Sequence, residues 1–147
     1  LAHAPLMRTE RALLDSAQKL GVTVHVRRAD WTIKAGRDVM LSTAHEHPEV
    51  TAVVGFNELA MIGALEAIAS LGKRVPDDYS ILQFGIDAAS AEATTPAQNT
   101  VGVDGVALGA KAAEFLLQRL NGETEPLHDL RPPVYVDRGS ISTARSV

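Results

Sequence analysis

The chain has 147 residues, 46% of them apolar and 22% charged, with a net charge of −4 and no cysteine. That composition suits one globular domain, or one and a fraction, and excludes disulfides and thiolate metal sites. The acidic balance argues against this segment gripping a nucleic-acid backbone by itself, and no apolar run approaches the ~20 residues that span a bilayer. The chain begins at Leu1, without Met, in an apolar-to-turn transition, and is expected to be a fragment of something longer. No cationic, apolar leader precedes it, which together with the lack of cysteine fits a cytoplasmic protein.

Leu1 to Ala4 reads as the tail of a strand. Between Met7 and Leu20, Leu13, Leu14, Ala17 and Leu20 form a helical stripe, Arg8, Glu10, Arg11 and Lys19 sit off it, and Gly21 closes the helix. The alternating valines of Val22 to Val26 predict a second strand. Arg27 to Trp31 leaves the sheet, and Thr32 caps a helix to about Glu46 that Gly36 weakens. Glu49 to Phe56 is a β-branched run suited to a strand covered on both faces. Asn57 then caps a helix carrying Leu59, Met61, Ile62, Leu65, Ile68 and Leu71, which stops at Gly72. Val75 to Asp78 turns the chain into a strand from Tyr79 to Phe84, completing a right-handed βαβ unit.

Ala88 to Gln98 predicts a loop with one short turn of helix, and Asn99 to Val103 a strand. Asp104 caps a long helix to about Leu120, ended by Asn121-Gly122. Pro132 to Val136 is a further strand, and Arg138 onward a fraying tail. This alternation means α/β, a mostly parallel open sheet with helices on both faces. Helix 104–120 has an apolar face without a sheet to cover, so it is expected to pack on another chain or to dock back on this one.

Chemistry is sparse. No G-x-S-x-G elbow exists, and Gly102, Gly105 and Gly109 enter a helix without a phosphate-cradling loop. His45-Glu46-His47 invites a metal reading, but residues i and i+2 diverge on a helix, and imidazoles suit the dipole at a helix C-terminus. His3, His25 and His128 are scattered and receive no role, and no metal or cofactor is expected. What remains at the strand ends is Arg8, Arg11, Trp31, Asn57 and Asp87, with Gln83 beside them. Each has a structural reading too. Trp31 either packs or stacks on a ligand; Asn57 caps a helix and can still aim an amide donor into a cleft; Arg8 and Arg11 are either surface charges or ligand clamps. Such a set suits a small polar ligand.

Thr51-Ala52-Val53-Val54-Gly55-Phe56-Asn57-Glu58-Leu59-Ala60-Met61-Ile62-Gly63-Ala64-Leu65 resembles the "TAVFAxND-x-MAxGAL" segment of lactose-repressor/galactose-repressor (LacI/GalR) family regulators. Gly72-Lys73-Arg74-Val75-Pro76-Asp77-Asp78-Tyr79-Ser80-Ile81 is similar to that family's "G-x-RVPEDVSVVGFDD". Asn99-Thr100-Val101 matches "TTV", Gly109, Ala112-Ala113 and Leu116-Leu117 follow its "G-x-x-A-x-x-x-L" helix, and Val136-Asp137-Arg138-Gly139-Ser140 resembles its closing "VxRxS".

The resemblance implies a periplasmic-binding-protein-like core of type I. Residues 1–102 would be its C-terminal lobe, 103–131 a segment of the N-terminal lobe, and 132–147 the closing strand and tail. It implies a cytoplasmic transcriptional regulator, not an enzyme, that senses a sugar-like or nucleobase-like effector and reads DNA only through a helix-turn-helix absent from this chain. By the same resemblance Asn57 is an effector-binding residue, Trp31 the stacking aromatic, and Arg8 or Arg11 the effector arginine. The family's ligand-binding Asp falls at Gly85 and its Gln at Val103, so either Asp87, two positions on, takes over or the effector is less hydroxylated than a typical sugar. A homodimer is implied through the helix over 58–71 and the segment over 86–96, with Met61, Ile62 and Leu65 as exposed contacts. The rival readings are a periplasmic-type sugar-binding protein of a transporter and a small α/β enzyme, the latter opposed by the lack of a nucleophile–base pair.

Overall fold

The structure, a computed structural model, describes residues 4–85 and 88–143. Their elements run α1 (Ala4–Lys19), α2 (Ile33–Glu46), β1 (Ala52–Gly55), α3 (Glu58–Ser70), β2 (Ser80–Phe84), α4 (Ala88–Ala93), β3 (Asn99–Gly102), α5 (Gly105–Leu120) and β4 (Val134–Val136). One sheet joins the strands in the order β1-β2-β3-β4, with β4 alone antiparallel. This is the α/β, mostly parallel open sheet that the alternation predicts.

The core lies between α2, α3 and the sheet face carrying Ile81. Met40 of α2, Met61, Leu65 and Ile68 of α3, and Tyr79 at the foot of β2 fill it. Two glycines let the helices meet backbone to backbone. A Cβ at Gly36 would lie 1.9 Å from the Ala60 carbonyl oxygen, and one at Gly63 would lie 1.9 Å from that of Ile33. Gly36 is therefore less a weak point of its helix than the condition for this crossing. The helix ends follow the predicted chemistry. Thr32 and Asn57 accept hydrogen bonds from the third amide on, Ala35 and Ala60. At the far end of α3, Gly72 takes φ +68°, while its N–H reaches the Ala69 carbonyl and that of Lys73 the Ile68 carbonyl. That pair of bonds is a Schellman cap.

Several expectations are corrected. Ala4 opens a helix, and the rest of the predicted strand tail lies outside the described residues. Val22 to Val26 forms no strand, because a strand needs a ladder partner and β1 pairs only with β2. β1 is shorter than the run from Glu49 and only half-covered, since Ala52 is exposed at its start. Met61 and Leu65 are not surface residues, being 3% and 8% exposed inside the chain's own core. α3 is apolar on several sides, so sequence alone does not separate its core face from its outer one; Leu59 and Leu71 are the exposed ones. α5 does not dock back on the sheet: it buries no residue, and Val106 is 85% exposed.

From Arg138 to Thr143, the last described residue, the segment after β4 is no fraying tail. Ser140 is fully buried, and its Oγ donates to the Ile81 carbonyl at 2.7 Å while accepting from the Asn99 N–H at 2.7 Å. Asn99 Oδ1 accepts from the amides of Arg138 and Ser140, and Asn99 Nδ2 donates to the Tyr135 hydroxyl at 2.6 Å. The Arg138 guanidinium donates to the Gln98 carbonyl and to Thr100 Oγ1. Residues 138–140 thus strap β2 to β3 through buried hydrogen bonds.

Candidate functional site

Parallel pairing of β1 with β2 aligns Gly55 with Gln83, so the next residues, Phe56 and Phe84, emerge side by side at the carboxyl ends of the strands. Their rings stack with centroids 5.0 Å apart. Asn57 follows immediately. Its Oδ1 accepts from the Ala60 N–H at 3.1 Å, capping α3, while its buried Nδ2 has no partner. One side chain therefore does two things: the oxygen is consumed by the fold, and the amide donor is left over. Burying an unpartnered donor costs about 1–3 kcal/mol, a cost that a ligand acceptor would offset.

The glycine crossing brings the start of α2 to the same edge, since Gly36 meets Ala60 and Ile33 meets Gly63 near both N-termini. Trp31 precedes the Thr32 cap there and is 64% exposed, which excludes the packing role within this chain. Arg8 and Arg11 are exposed on α1. That helix buries none of its described side chains. It is tied down instead by Arg28, whose guanidinium grips the Glu10 carboxylate through two hydrogen bonds of 2.6 and 2.8 Å. That hydrogen-bonded cation holds the Glu10 carboxyl below its ordinary value.

Asp87 lies outside the described residues. Gln83 is buried beneath α3, with its Nε2 donating to the Phe84 carbonyl at 3.3 Å and its Oε1 unpartnered beside Gly55. Val103, where the resemblance expects Gln, is half-exposed past the end of β3. No local sequence motif marks the phenylalanine pair, which follows from the pairing of Gly55 with Gln83. A hollow of about 180 Å³ lies at the opposite, amino-terminal edge, between Pro48, Val50, Pro76 and Ser142. It is remote from the strand ends, the edge where open α/β sheets bind ligands.

Residues 5–141 match the periplasmic binding protein-like domain family. The chain is 32% identical over 89 residues to the lactose operon repressor of Rhizobium radiobacter, covering 60% of this chain and 78% of that one. It is 30% identical over 117 residues to the HTH-type transcriptional regulator CelR of Thermobifida fusca, covering 79% of this chain and 34% of that one. It thus spans about a third of that relative's length. Among solved structures, a LacI family transcriptional regulator from Arthrobacter sp. FB24 in complex with lactose superposes with a TM-score of 0.80 at 26% identity, covering 90% of this chain and 50% of that one.

Proposed function

The chain belongs to the periplasmic binding protein-like domain family, among LacI-family transcriptional regulators, and from that membership we propose that it is the effector-binding region of such a regulator. The effector is a small hydroxylated molecule, a sugar or a related metabolite. It sits at the carboxyl edge of the sheet, hydrogen-bonded by Asn57 and stacked on by Trp31. The unpartnered Nδ2 of Asn57 is the observation that supports this placement. Arg8 or Arg11 and Asp87 complete the set of contacts in this reading. No reaction is assigned, and the region acts by binding alone.

The complete regulator is cytoplasmic in this reading, and it contacts DNA through a separate helix-turn-helix. Effector bound at this edge favours one arrangement of the core over another, and only the difference in affinity between the two drives the response. The relatives, one named a transcriptional regulator and the other an operon repressor, favour this over a transporter's binding protein. It works as a homodimer, to which Ile62 contributes; Met61 and Leu65, being buried, act by supporting α3 from within.

The test is a calorimetric titration of the complete regulator with a panel of mono- and disaccharides. Asn57→Asp keeps a capping oxygen and removes the amide donor, so effector binding should fall about tenfold or more while the fold stays intact. Unchanged affinity in that variant would remove Asn57 from the site.

A further inference from the structure

His25 and His47 are twenty-two positions apart, yet their rings stack with centroids 3.7 Å apart at an interplanar angle of 28°. Glu49 closes the group. Its Oε1 lies 3.3 Å from His25 Nε2 and 3.4 Å from His47 Nδ1, and the three potential donor atoms all fall within 4.8 Å of one another. The backbone fixes two of the three. His47 ends α2 with its N–H on the Thr43 carbonyl, and its own carbonyl accepts from the Val50 N–H at 3.1 Å, forming a turn through Pro48. That turn sets His47 and Glu49 on one side of the chain, which a continued helix would not do.

We propose that His25, His47 and Glu49 form a binding site for a divalent transition-metal ion, zinc foremost, with a fourth position open to solvent. Zinc holds imidazole nitrogen and carboxylate oxygen at about 2.0–2.2 Å, which puts tetrahedral ligand atoms about 3.3–3.5 Å apart. Two of the three observed separations already have that value, while the rings, stacked with centroids 3.7 Å apart, swing apart on binding so that both nitrogens face one ion. Two imidazoles and one carboxylate select zinc, copper or nickel over magnesium and calcium, which prefer all-oxygen shells. Both histidine side chains are 27% exposed, so an ion has access.

The ion would join two parts of the chain. Residues 22–30 have no ladder hydrogen bonds; Val22 bonds back to the Ala17 carbonyl and Arg28 to Glu10, both on α1, Asp30 accepts from the Thr32 N–H, and Arg27 pairs with Glu46 at the end of α2. A metal across His25 and the His47–Glu49 turn fastens that segment to the start of the sheet. This neither uses nor requires the effector site.

The 147-residue chain, stripped with chelator, is titrated with zinc chloride by calorimetry, and its thermal unfolding is followed with and without zinc. One zinc per chain and a raised Tm are expected, because a ligand bound only by the folded state stabilises it. Cobalt in place of zinc should give the visible absorption of a tetrahedral centre. His25→Ala, His47→Ala and Glu49→Gln should each weaken binding by at least the about 10- to 100-fold that loss of an outer-shell partner costs. The three side chains are partly exposed, and circular dichroism establishes that each variant folds. His45→Ala and His128→Ala, on exposed residues that are not members of the group, should leave affinity unchanged. Absence of zinc binding to the unaltered chain would overturn the proposal. So would affinity that survives His25→Ala, or that falls equally in His45→Ala.

Discussion

Gly36 of α2 lies against Ala60 of α3 so closely that no side-chain atom fits between them: a Cβ there would stand 1.9 Å from a backbone oxygen. Neither helix can yield locally, because Gly63 is pressed in the same way against Ile33. Helix propensity alone would make Gly36→Ala stabilising by up to about 1 kcal/mol. The crossing reverses that sign. Gly36→Ala and Gly63→Ala should each lower the urea midpoint, at a cost of about 1–3 kcal/mol for forced separation of a packed pair. Gly109→Ala on α5, where an added Cβ meets nothing, supplies the contrast and should stabilise by about 0.5–1 kcal/mol. Equal effects at positions 36 and 109 would contradict the backbone contact.

Asn57 separates two effects that are usually entangled. Asn57→Ala removes the cap of α3 and should cost about 1 kcal/mol of unfolding free energy. Asn57→Asp preserves an acceptor for the Ala60 N–H and adds negative charge at a helix N-terminus, where it is favourable. Denaturation of both variants, measured without effector, should therefore show a loss for alanine and little or none for aspartate.

Ser140→Ala should be among the more damaging single changes. It strands the Ile81 carbonyl and the Asn99 amide in the interior, each worth about 1–3 kcal/mol if no water replaces the hydroxyl. Ser142→Ala is the milder comparison, since its hydroxyl donates to the Pro76 carbonyl at an exposed position. A thermal melt in which the two substitutions behave alike would show that the strap is not holding β2 and β3.

Glu10 gives a pH prediction of definite sign. Its folded-state pKa is lowered, chiefly by the hydrogen bonds from Arg28. The pair thus contributes stability above the unfolded-chain carboxylate value and loses it as pH falls through the folded one. Carboxyl NMR should find Glu10 titrating below an ordinary glutamate, and Arg28→Ala should return it to the ordinary range. Because the pair is exposed, the effect on global stability is screened and small.

Much of this architecture was legible in the residues because its causes are local. Thr32, Asn57 and Asp104 declare helix starts, Gly72 declares an end, and the apolar runs before Asn57 and Gly85 read as strands. What was not legible depends on partners distant in sequence. The valines of 22–26 have the right propensity but no neighbouring strand to bond. Sequence alone does not assign Met61 and Leu65 to the inner face, because α3 is apolar on several sides. Gly36 reads as a flaw until Ala60 is seen against it. At the strand ends, the capping role of Asn57 was readable, whereas its spare donor and the Phe56–Phe84 stack required the fold. His25 received no role because nothing local joins it to His47.

The strap also sets an order of events during synthesis. Ser140 leaves the ribosome 59 residues after Ile81, the strand residue whose carbonyl it satisfies. Until then the Ile81 carbonyl and the Asn99 N–H lack the Ser140 hydroxyl that joins them, and closing so long a loop must precede any gain from the contact. The βαβ unit can collapse early around α3, but its sheet remains open on that side while translation continues. A nascent chain halted before Arg138 should therefore be cleaved by protease within β3 far more readily than one extended past Ser142, with α2 and α3 protected in both.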